Sequence, residues 1–182
     1  AKPTPVSLET LVLGGGCFWC LDALFRSLPG VREITCGYAG GHVETPGYQQ
    51  VCDGSTGHAE VVRISFAPET ISRRELLKFF WQIHDPTTPN RQGADIGPQY
   101  RSVIFYSSPK EKLLAEQSRT EAQASHPKRI VTEIVPLGQF WPAEEYHQDY
   151  FRRNPARPYC ALVIAPKIAA MPERQTHPTI NC

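Results

Sequence analysis

The stretch that decides the fold is an apolar run followed by three glycines and a pair of cysteines. It reads Leu11-Val12-Leu13-Gly14-Gly15-Gly16-Cys17-Phe18-Trp19-Cys20. The apolar run is typical of a buried strand, and the glycines after it indicate a tight turn. Residues 18–27 then carry apolar side chains at helical spacing, and the Pro-Gly pair at 29–30 ends that helix. The pattern therefore places both cysteines at the N-terminus of a helix.

Strand and helix patterns alternate along the rest of the chain. Strands are predicted over residues 31–38, 60–66, 101–106, 130–135 and 161–165. Capping-box patterns at Ser72/Glu75 and Ser108/Glu111 predict the starts of two helices, and a short aromatic helix is predicted over 142–152. We expect an α/β (α+β) fold, a two-layer sandwich whose mixed sheet is flanked by helices, with a ferredoxin-like core. A single domain would span residues 1–182, with its core at about 10–167 and an irregular tail at 168–182.

Composition argues against several classes of function. The chain has 182 residues and a net charge of +1, from 19 basic and 18 acidic side chains. Such a balance gives no basic surface for nucleic acid or an anionic membrane, and no apolar run approaches the ~20 residues of a membrane span. We expect a monomer in the cytoplasm, since residues 1–5 lack the apolar stretch of a signal peptide. If an upstream segment has been removed, an organelle or an exported location would also fit.

Cys17 and Cys20 have the spacing of a redox pair. A helix N-terminus favours the thiolate form of Cys17, and side chains at i and i+3 are close enough for a disulfide after a modest shift. Two other interpretations stay open: small buried residues at a crowded helix start, or a general thiol–disulfide oxidoreductase. The bulky Phe18-Trp19 spacer favours a pocket for an apolar group over a flat docking surface. The other four cysteines are scattered, without zinc-site spacing, so we expect no metal.

Several motifs in a fixed order match one family. They are Gly16-Cys17-Phe18-Trp19, Tyr48 with Cys52-Asp53-Gly54, Gly57-His58-Ala59-Glu60-Val61-Val62, His84-Asp85-Pro86-Thr87-Thr88, Arg91-Gln92-Gly93-Ala94-Asp95-Ile96-Gly97-Pro98-Gln99-Tyr100-Arg101-Ser102 and Ala143-Glu144-Glu145-Tyr146-His147-Gln148. Over residues 11–167 the chain resembles the A-type peptide-methionine sulfoxide reductases. The resemblance implies reduction of the S epimer of methionine sulfoxide, in proteins or as the free amino acid. It also implies thioredoxin as the external reductant and no metal, flavin or nicotinamide cofactor.

The resemblance implies roles for the nucleophile and the two aromatic residues that follow it. Cys17 matches the cysteine that attacks the sulfoxide sulfur and becomes a sulfenic acid. Phe18 and Trp19 match the aromatic residues that hold the S-methyl group of the substrate. An apolar enclosure of this kind would also select which face of the sulfur meets the thiol.

The resemblance implies three more residues at the sulfoxide oxygen and a fourth elsewhere in the site. Glu60 matches the carboxylic acid that protonates this oxygen, and Tyr48 and Tyr100 match phenols that point at it. Asp95 matches an acidic residue of the site, to which we assign an orienting role. The physical chemistry agrees, because a sulfoxide oxygen leaves poorly unless it is protonated, and a carboxylic acid kept neutral by burial can supply the proton.

A second thiol must close the cycle, and here the chain departs from the commoner family pattern. Glycine often occupies the position of Cys20, and the resolving cysteines then lie near the C-terminus. We favour Cys20, because the loop that it would close is short. Cys160 is an alternative, although a strand over 161–165 would hold it in place. Cys182, at the end of the chain, is a further alternative.

Overall fold

A six-stranded sheet forms the centre of the computed structural model, which describes residues 7–169. The strands of the chain are β1 (Glu9–Gly14), β2 (Val31–Ala39), β3 (Ala59–Phe66), β4 (Arg91–Gln92), β5 (Asp95–Ile96), β6 (Val103–Tyr106), β7 (Glu133–Pro136) and β8 (Trp141–Pro142). The helices are α1 (Phe18–Arg26), α2 (Tyr48–Cys52), α3 (Arg73–Ile83), α4 (Pro109–Gln123), α5 (Tyr150–Arg153) and α6 (Ala165–Ala169). The large sheet has the order β7-β6-β1-β3-β2-β8, and β4 pairs with β5 in a separate two-stranded ribbon.

The four central strands confirm the predicted ferredoxin-like core. The chain runs β1-α1-β2-β3-α3-β6, and the strands lie side by side in the order β6-β1-β3-β2. All pairs among these four are antiparallel, whereas β7 joins β6 in parallel, so the sheet is mixed. The α+β class and the helix-flanked mixed sheet predicted from the sequence are therefore confirmed.

Alternating side chains give the sheet two apolar faces. Leu11 and Leu13 of β1 pack into the larger cluster, which includes the apolar residues of α1 and α3, while Val12 packs into a smaller cluster on the opposite face. Val62 and Val61 of β3 divide in the same way. Burying each such side chain contributes about 1.5–3 kcal/mol. Glu60 has the same parity as Val62 and therefore faces the helix side of the sheet.

Both predicted helix starts are present. The Ser72 hydroxyl accepts a hydrogen bond from the Glu75 amide at 3.1 Å, and the Glu75 carboxylate accepts one from the Ser72 amide. Ser108 likewise accepts from the Glu111 amide at the start of α4. Caps of this type satisfy backbone amides that the first helical turn leaves unpaired.

Two predicted elements differ from the structure. Residues 142–152 form no single helix: β8 pairs with β2, a 3-10 turn follows at Glu145–His147, and only α5 is α-helical. The left-handed backbone of Asp149, at φ 52°, separates the turn from α5. The segment between β2 and β3 contains the short helix α2, which the sequence pattern does not predict.

The predicted strand at 161–165 is wrong. Residues Cys160–Ile164 form a π-helix that continues into α6. Cys160 and Ile164 are fully buried, whereas Ala161 and Leu162 are exposed, so the apolar side follows a helical and not an alternating period. Helix α6 also replaces the start of the predicted irregular tail. Residues 170–182 lie outside the described residues.

Candidate active site

The glycine turn holds Cys17 at the start of α1. Gly16 has a φ of +93°, and its amide donates to the Tyr100 carbonyl at 3.2 Å. A Cβ atom at this position would lie 2.8 Å from Cγ of Gln92. Cys17 is the N-cap residue of α1, with extended backbone and 8% exposure. Only glycine combines the required backbone with this close approach.

Glu60 lies buried at the same helix end. It is the second residue of β3, it pairs with Tyr38 of β2, and it is 1% exposed. Its Oε1 accepts a hydrogen bond from the Phe18 amide at 3.2 Å, while its Oε2 has no partner among the described residues. Burial raises the pKa of Glu60 to about 8; the Phe18 amide opposes this shift and the charge of Asp95 adds to it. The carboxyl group is therefore mainly a neutral acid at pH 7.

The Cys17 thiol contradicts one expectation. The helix N-terminus predicts a stabilised thiolate, yet the pKa of Cys17 is raised well above its ordinary value. Burial is the main cause, followed by the neighbouring Glu60 and Cys20, while the Trp19 backbone amide acts in the opposite direction. Loss of water around the sulfur thus outweighs the helix terminus, and in the free site Cys17 is a thiol.

Tyr48 and Tyr100 lie close enough to Glu60 for its charge to affect the pKa of their phenols. Tyr48 opens α2, and its amide donates to Glu144 Oε2 at 3.2 Å; Tyr100 closes the 3-10 turn Pro98–Tyr100. Both are half-buried. Burial raises the pKa of each phenol, a hydrogen bond with Cys52 adds to this at Tyr48, and the charge of Glu60 raises both further, so both hydroxyls remain protonated.

The two aromatic residues of the spacer have different surroundings. Phe18 is completely buried, with its ring 5.7 Å from Tyr38 and 5.2 Å from His147 between centroids. Trp19 is partly exposed; it stacks on Tyr150 at 3.8 Å, and its Nε1 donates to His147 Nδ1 at 3.1 Å. The orientation of the indole ring is therefore held by a stacking partner and a hydrogen bond.

Asp95 connects the site to the C-terminal part of the chain. Its Oδ2 accepts a hydrogen bond from the Tyr159 hydroxyl at 2.9 Å, and that hydroxyl lies 3.5 Å from Sγ of Cys20. Lys167 Nζ lies 3.8 Å from the same sulfur. Sequence reasoning missed Tyr159 and Lys167. Cys160 and Ile164 are apolar at i and i+4, a spacing that also fits a helix. A predicted helix here would have placed Tyr159 and Lys167 on the same helical segment as Cys160.

Five cysteines fall within the described residues, and all are free thiols: Cys17, Cys20, Cys36, Cys52 and Cys160. Cys20 is buried on α1, one helical turn after Cys17. Cys160 is fully buried; burial is the main cause of its raised pKa, and the charge of the nearby Cys20 adds to it. Cys182, the third resolving candidate, lies outside the described residues.

Other features of residues 7–169 do not compete with this site. No group of three or more His, Cys, Asp or Glu side chains in this part of the chain is placed to hold a metal ion. A groove of about 390 Å³ between α3 and α4, which includes Trp81 and Ser118 in its lining, contains none of the predicted site residues. Of the helices between residues 7 and 169, none is long and apolar enough to cross a membrane.

A thiol beside a buried neutral carboxylic acid suits an enzyme of the thiol-dependent reductase class, and comparison with known proteins gives the family. The family model for peptide methionine sulfoxide reductase matches residues 9–179. The peptide methionine sulfoxide reductase MsrA of Thermus thermophilus is 51% identical over 160 residues, which cover 88% of this chain and 91% of the relative. The chain belongs to the peptide methionine sulfoxide reductase family.

Solved structures agree with this assignment. The reduced form of Mxr1 from Saccharomyces cerevisiae has a TM-score of 0.81 and 37% identity, covering 87% of this chain and 92% of the yeast chain. The same yeast protein in complex with Trx2 has a TM-score of 0.59 and 29% identity, over 82% and 89% of the two chains. The resemblance stated from the motifs is thus confirmed: the chain is an enzyme that reduces methionine sulfoxide.

Proposed function

We propose that Cys17 attacks the sulfur of methionine S-sulfoxide while Glu60 protonates the sulfoxide oxygen. The observation that carries this proposal is the buried Glu60 carboxyl beside Cys17, because its pKa is raised to about 8 and its Oε2 lacks a partner among residues 7–169. A buried acid with an unused oxygen is suited to donate a proton to a bound acceptor. Tyr48 and Tyr100 supply two further hydroxyl donors for that oxygen.

The reaction balances without another reactant. The Cys17 sulfur forms a bond to the substrate sulfur as the thiol proton is lost, and the substrate oxygen takes up one proton. The oxygen then passes to Cys17, the bond between the two sulfurs breaks, and methionine leaves a sulfenic acid on Cys17. The two-electron oxidation of Cys17 matches the two-electron reduction of the substrate.

Selection of the S epimer is assigned to the aromatic spacer. Trp19 is held by Tyr150 and His147, so its partly exposed ring offers a fixed apolar surface next to Cys17. If the S-methyl group rests on this surface and the oxygen faces Glu60, only one position at the sulfur is left for the rest of the methionine side chain. The R epimer would then exchange oxygen and methyl, leaving the oxygen without its acid.

We infer that Cys20 resolves the sulfenic acid and that thioredoxin reduces the resulting disulfide. Cys20 lies one turn from Cys17 on the same helix, whereas Cys160 belongs to a separate helical segment. Thioredoxin is supported by the yeast relative, whose structure in complex with Trx2 is known. We further propose that the enzyme acts as a monomer in the cytoplasm without a bound cofactor, since a reducing compartment keeps its thiols available.

Reduction of each separate epimer of a dabsylated methionine sulfoxide, with dithiothreitol as the reductant, tests the proposed function. We expect methionine from the S epimer only, and no turnover by the Cys17→Ser variant. A Cys36→Ser variant is the matched control, because Cys36 is a buried thiol on β2 outside the proposed chemistry. Turnover of the R epimer alone, or an active Cys17→Ser variant, would contradict the proposal. Insulin reduction without sulfoxide reduction would indicate a general thiol–disulfide oxidoreductase.

A further inference from the structure

The surroundings of Cys20 differ from those of Cys17. The Cys20 sulfur has two polar neighbours from the C-terminal part of the chain, the Tyr159 hydroxyl at 3.5 Å and Lys167 Nζ at 3.8 Å. The Tyr159 hydroxyl donates to Asp95 Oδ2 at 2.9 Å while Cys20 is a thiol, and it can donate to the sulfur once Cys20 is ionised. The side chain of Cys20 is therefore held in a defined position.

We propose that Lys167 is a catalytic residue of the resolving step: its ammonium group stabilises Cys20 as the thiolate that attacks the Cys17 sulfenic acid. Tyr159 orients the sulfur, and Asp95 is a positioning residue that acts through Tyr159. The inference rests on the proposed role of Cys20. It adds residues from α6 and the preceding segment to a site otherwise built from the sheet, α1, α2 and the loop before β6.

Electrostatics around Cys20 support this assignment. Burial raises the pKa of the Cys20 thiol, and the charge of Lys167 is the largest influence that lowers it, followed by the Tyr159 hydrogen bond. The other titratable groups that face this sulfur are Asp95, which raises the pKa, and the thiols of Cys17 and Cys160. Among the described residues, Lys167 is therefore the largest influence against burial at this thiol, and without it a smaller fraction of Cys20 would be thiolate.

The proposed step is balanced. The Cys20 sulfur, after losing its proton, forms a bond to the Cys17 sulfur, and the sulfur–oxygen bond of the sulfenic acid breaks. The departing hydroxyl takes up one proton and leaves as water. This proton balances the one that Cys20 lost. The two-electron oxidation of Cys17 is then held by the disulfide between the two cysteines.

A single-turnover experiment on the full chain tests the proposal. Stoichiometric methionine S-sulfoxide is added without reductant, and quenched samples report methionine release and, by peptide mass mapping, disulfide formation between pH 6 and 11, because the pKa of the Cys20 thiol is raised. For Lys167→Met we expect the ratio of the disulfide rate to the methionine-release rate to fall about threefold at neutral pH. A rise of about one unit in the thiol pKa lowers the thiolate fraction tenfold, and the more basic thiolate regains about threefold in nucleophilicity. The pH of half-maximal disulfide rate should rise by about one unit.

Three companion variants separate charge from packing. Lys167→Arg should restore the wild-type pH profile, and Lys78→Met, at an exposed lysine of α3, should leave it unchanged. Asp95→Asn should shift the profile to lower pH, because it removes a charge that raises the pKa of Cys20 and frees the Tyr159 hydroxyl to donate to the sulfur. Tyr159→Phe should shift it to higher pH, because it removes a hydrogen bond that lowers that pKa. A wild-type profile in Lys167→Met would overturn the inference while Cys20 remained the resolving residue. A Cys17–Cys160 disulfide in the wild-type enzyme would overturn the role of Cys20 itself, together with the inference built on it.

Discussion

At the scale of single residues, burial sets the chemistry of the site. Glu60 and Cys17 are both almost withdrawn from water, and for both groups burial is the largest cause of a raised pKa. The chemical identity of these residues could be predicted from the sequence through its family motifs. The protonation state of Cys17 could not, because a helix N-terminus and desolvation act in opposite directions and only the structure shows which effect is larger.

Glu60 should make the enzyme less stable as pH rises. Its pKa is about 8 in the folded protein and about 4.3 in an unfolded chain, so between these values the folded state binds more protons. Stability therefore falls with rising pH across this window, by up to about 1.4 kcal/mol per unit from Glu60 alone. Glu60→Gln removes this slope. We expect the variant to gain stability over the wild type between pH 5 and pH 8 and to reduce sulfoxide about 10²–10⁴-fold more slowly.

Urea denaturation at pH 5 and pH 8, with the rate of methionine release measured at pH 7, checks both parts of this prediction. Glu33→Gln is the matched control, because Glu33 is an exposed glutamate on β2. Equal stability differences at the two pH values would show that Glu60 does not carry a raised pKa. A near wild-type rate would remove Glu60 from the mechanism.

At the scale of elements, the sequence predicts those that carry a strong local signal. The caps at Ser72 and Ser108, the apolar run of β1 and the strand pattern of β3 follow from hydrogen bonding and side-chain period, and they agree with the structure. The prediction for Cys160–Ile164 disagrees with the structure, because a short apolar run fits a strand or a buried helix equally well. Its conformation is set by packing against α1, which is a tertiary effect.

The turn before α1 gives a prediction at this scale. Gly16→Ala would place a Cβ at a φ of +93° and 2.8 Å from Gln92 Cγ. We expect a loss of about 1–3 kcal/mol in the free energy of unfolding, and slower sulfoxide reduction because Cys17 moves with the turn. Gly138→Ala, which has open space around its Cβ position, should change stability by less than about 0.5 kcal/mol. Urea denaturation and single-turnover rates provide the measurement, and a Gly16→Ala variant as stable as the control would contradict the assigned strain.

At the scale of the whole molecule, antiparallel pairing collects the site at one end of the sheet. The end of β1 leads to Cys17, the start of β3 carries Glu60, and Tyr100 lies just before β6. The motifs predict which residues take part, but the distances between them depend on strand order, which local patterns do not encode. Tyr159 and Lys167 join from the far end of the chain, so their contact with Cys20 could be found only in the folded molecule.

The substrate oxygen passes to Cys17 in the proposed reaction, and trapping the sulfenic acid detects this transfer. The Cys20→Ser variant, incubated with one equivalent of methionine S-sulfoxide and excess dimedone, should release one equivalent of methionine and carry one dimedone adduct, mapped by peptide mass to Cys17. The R epimer serves as the control and should give neither product. Methionine formation with the adduct on another cysteine would contradict the account.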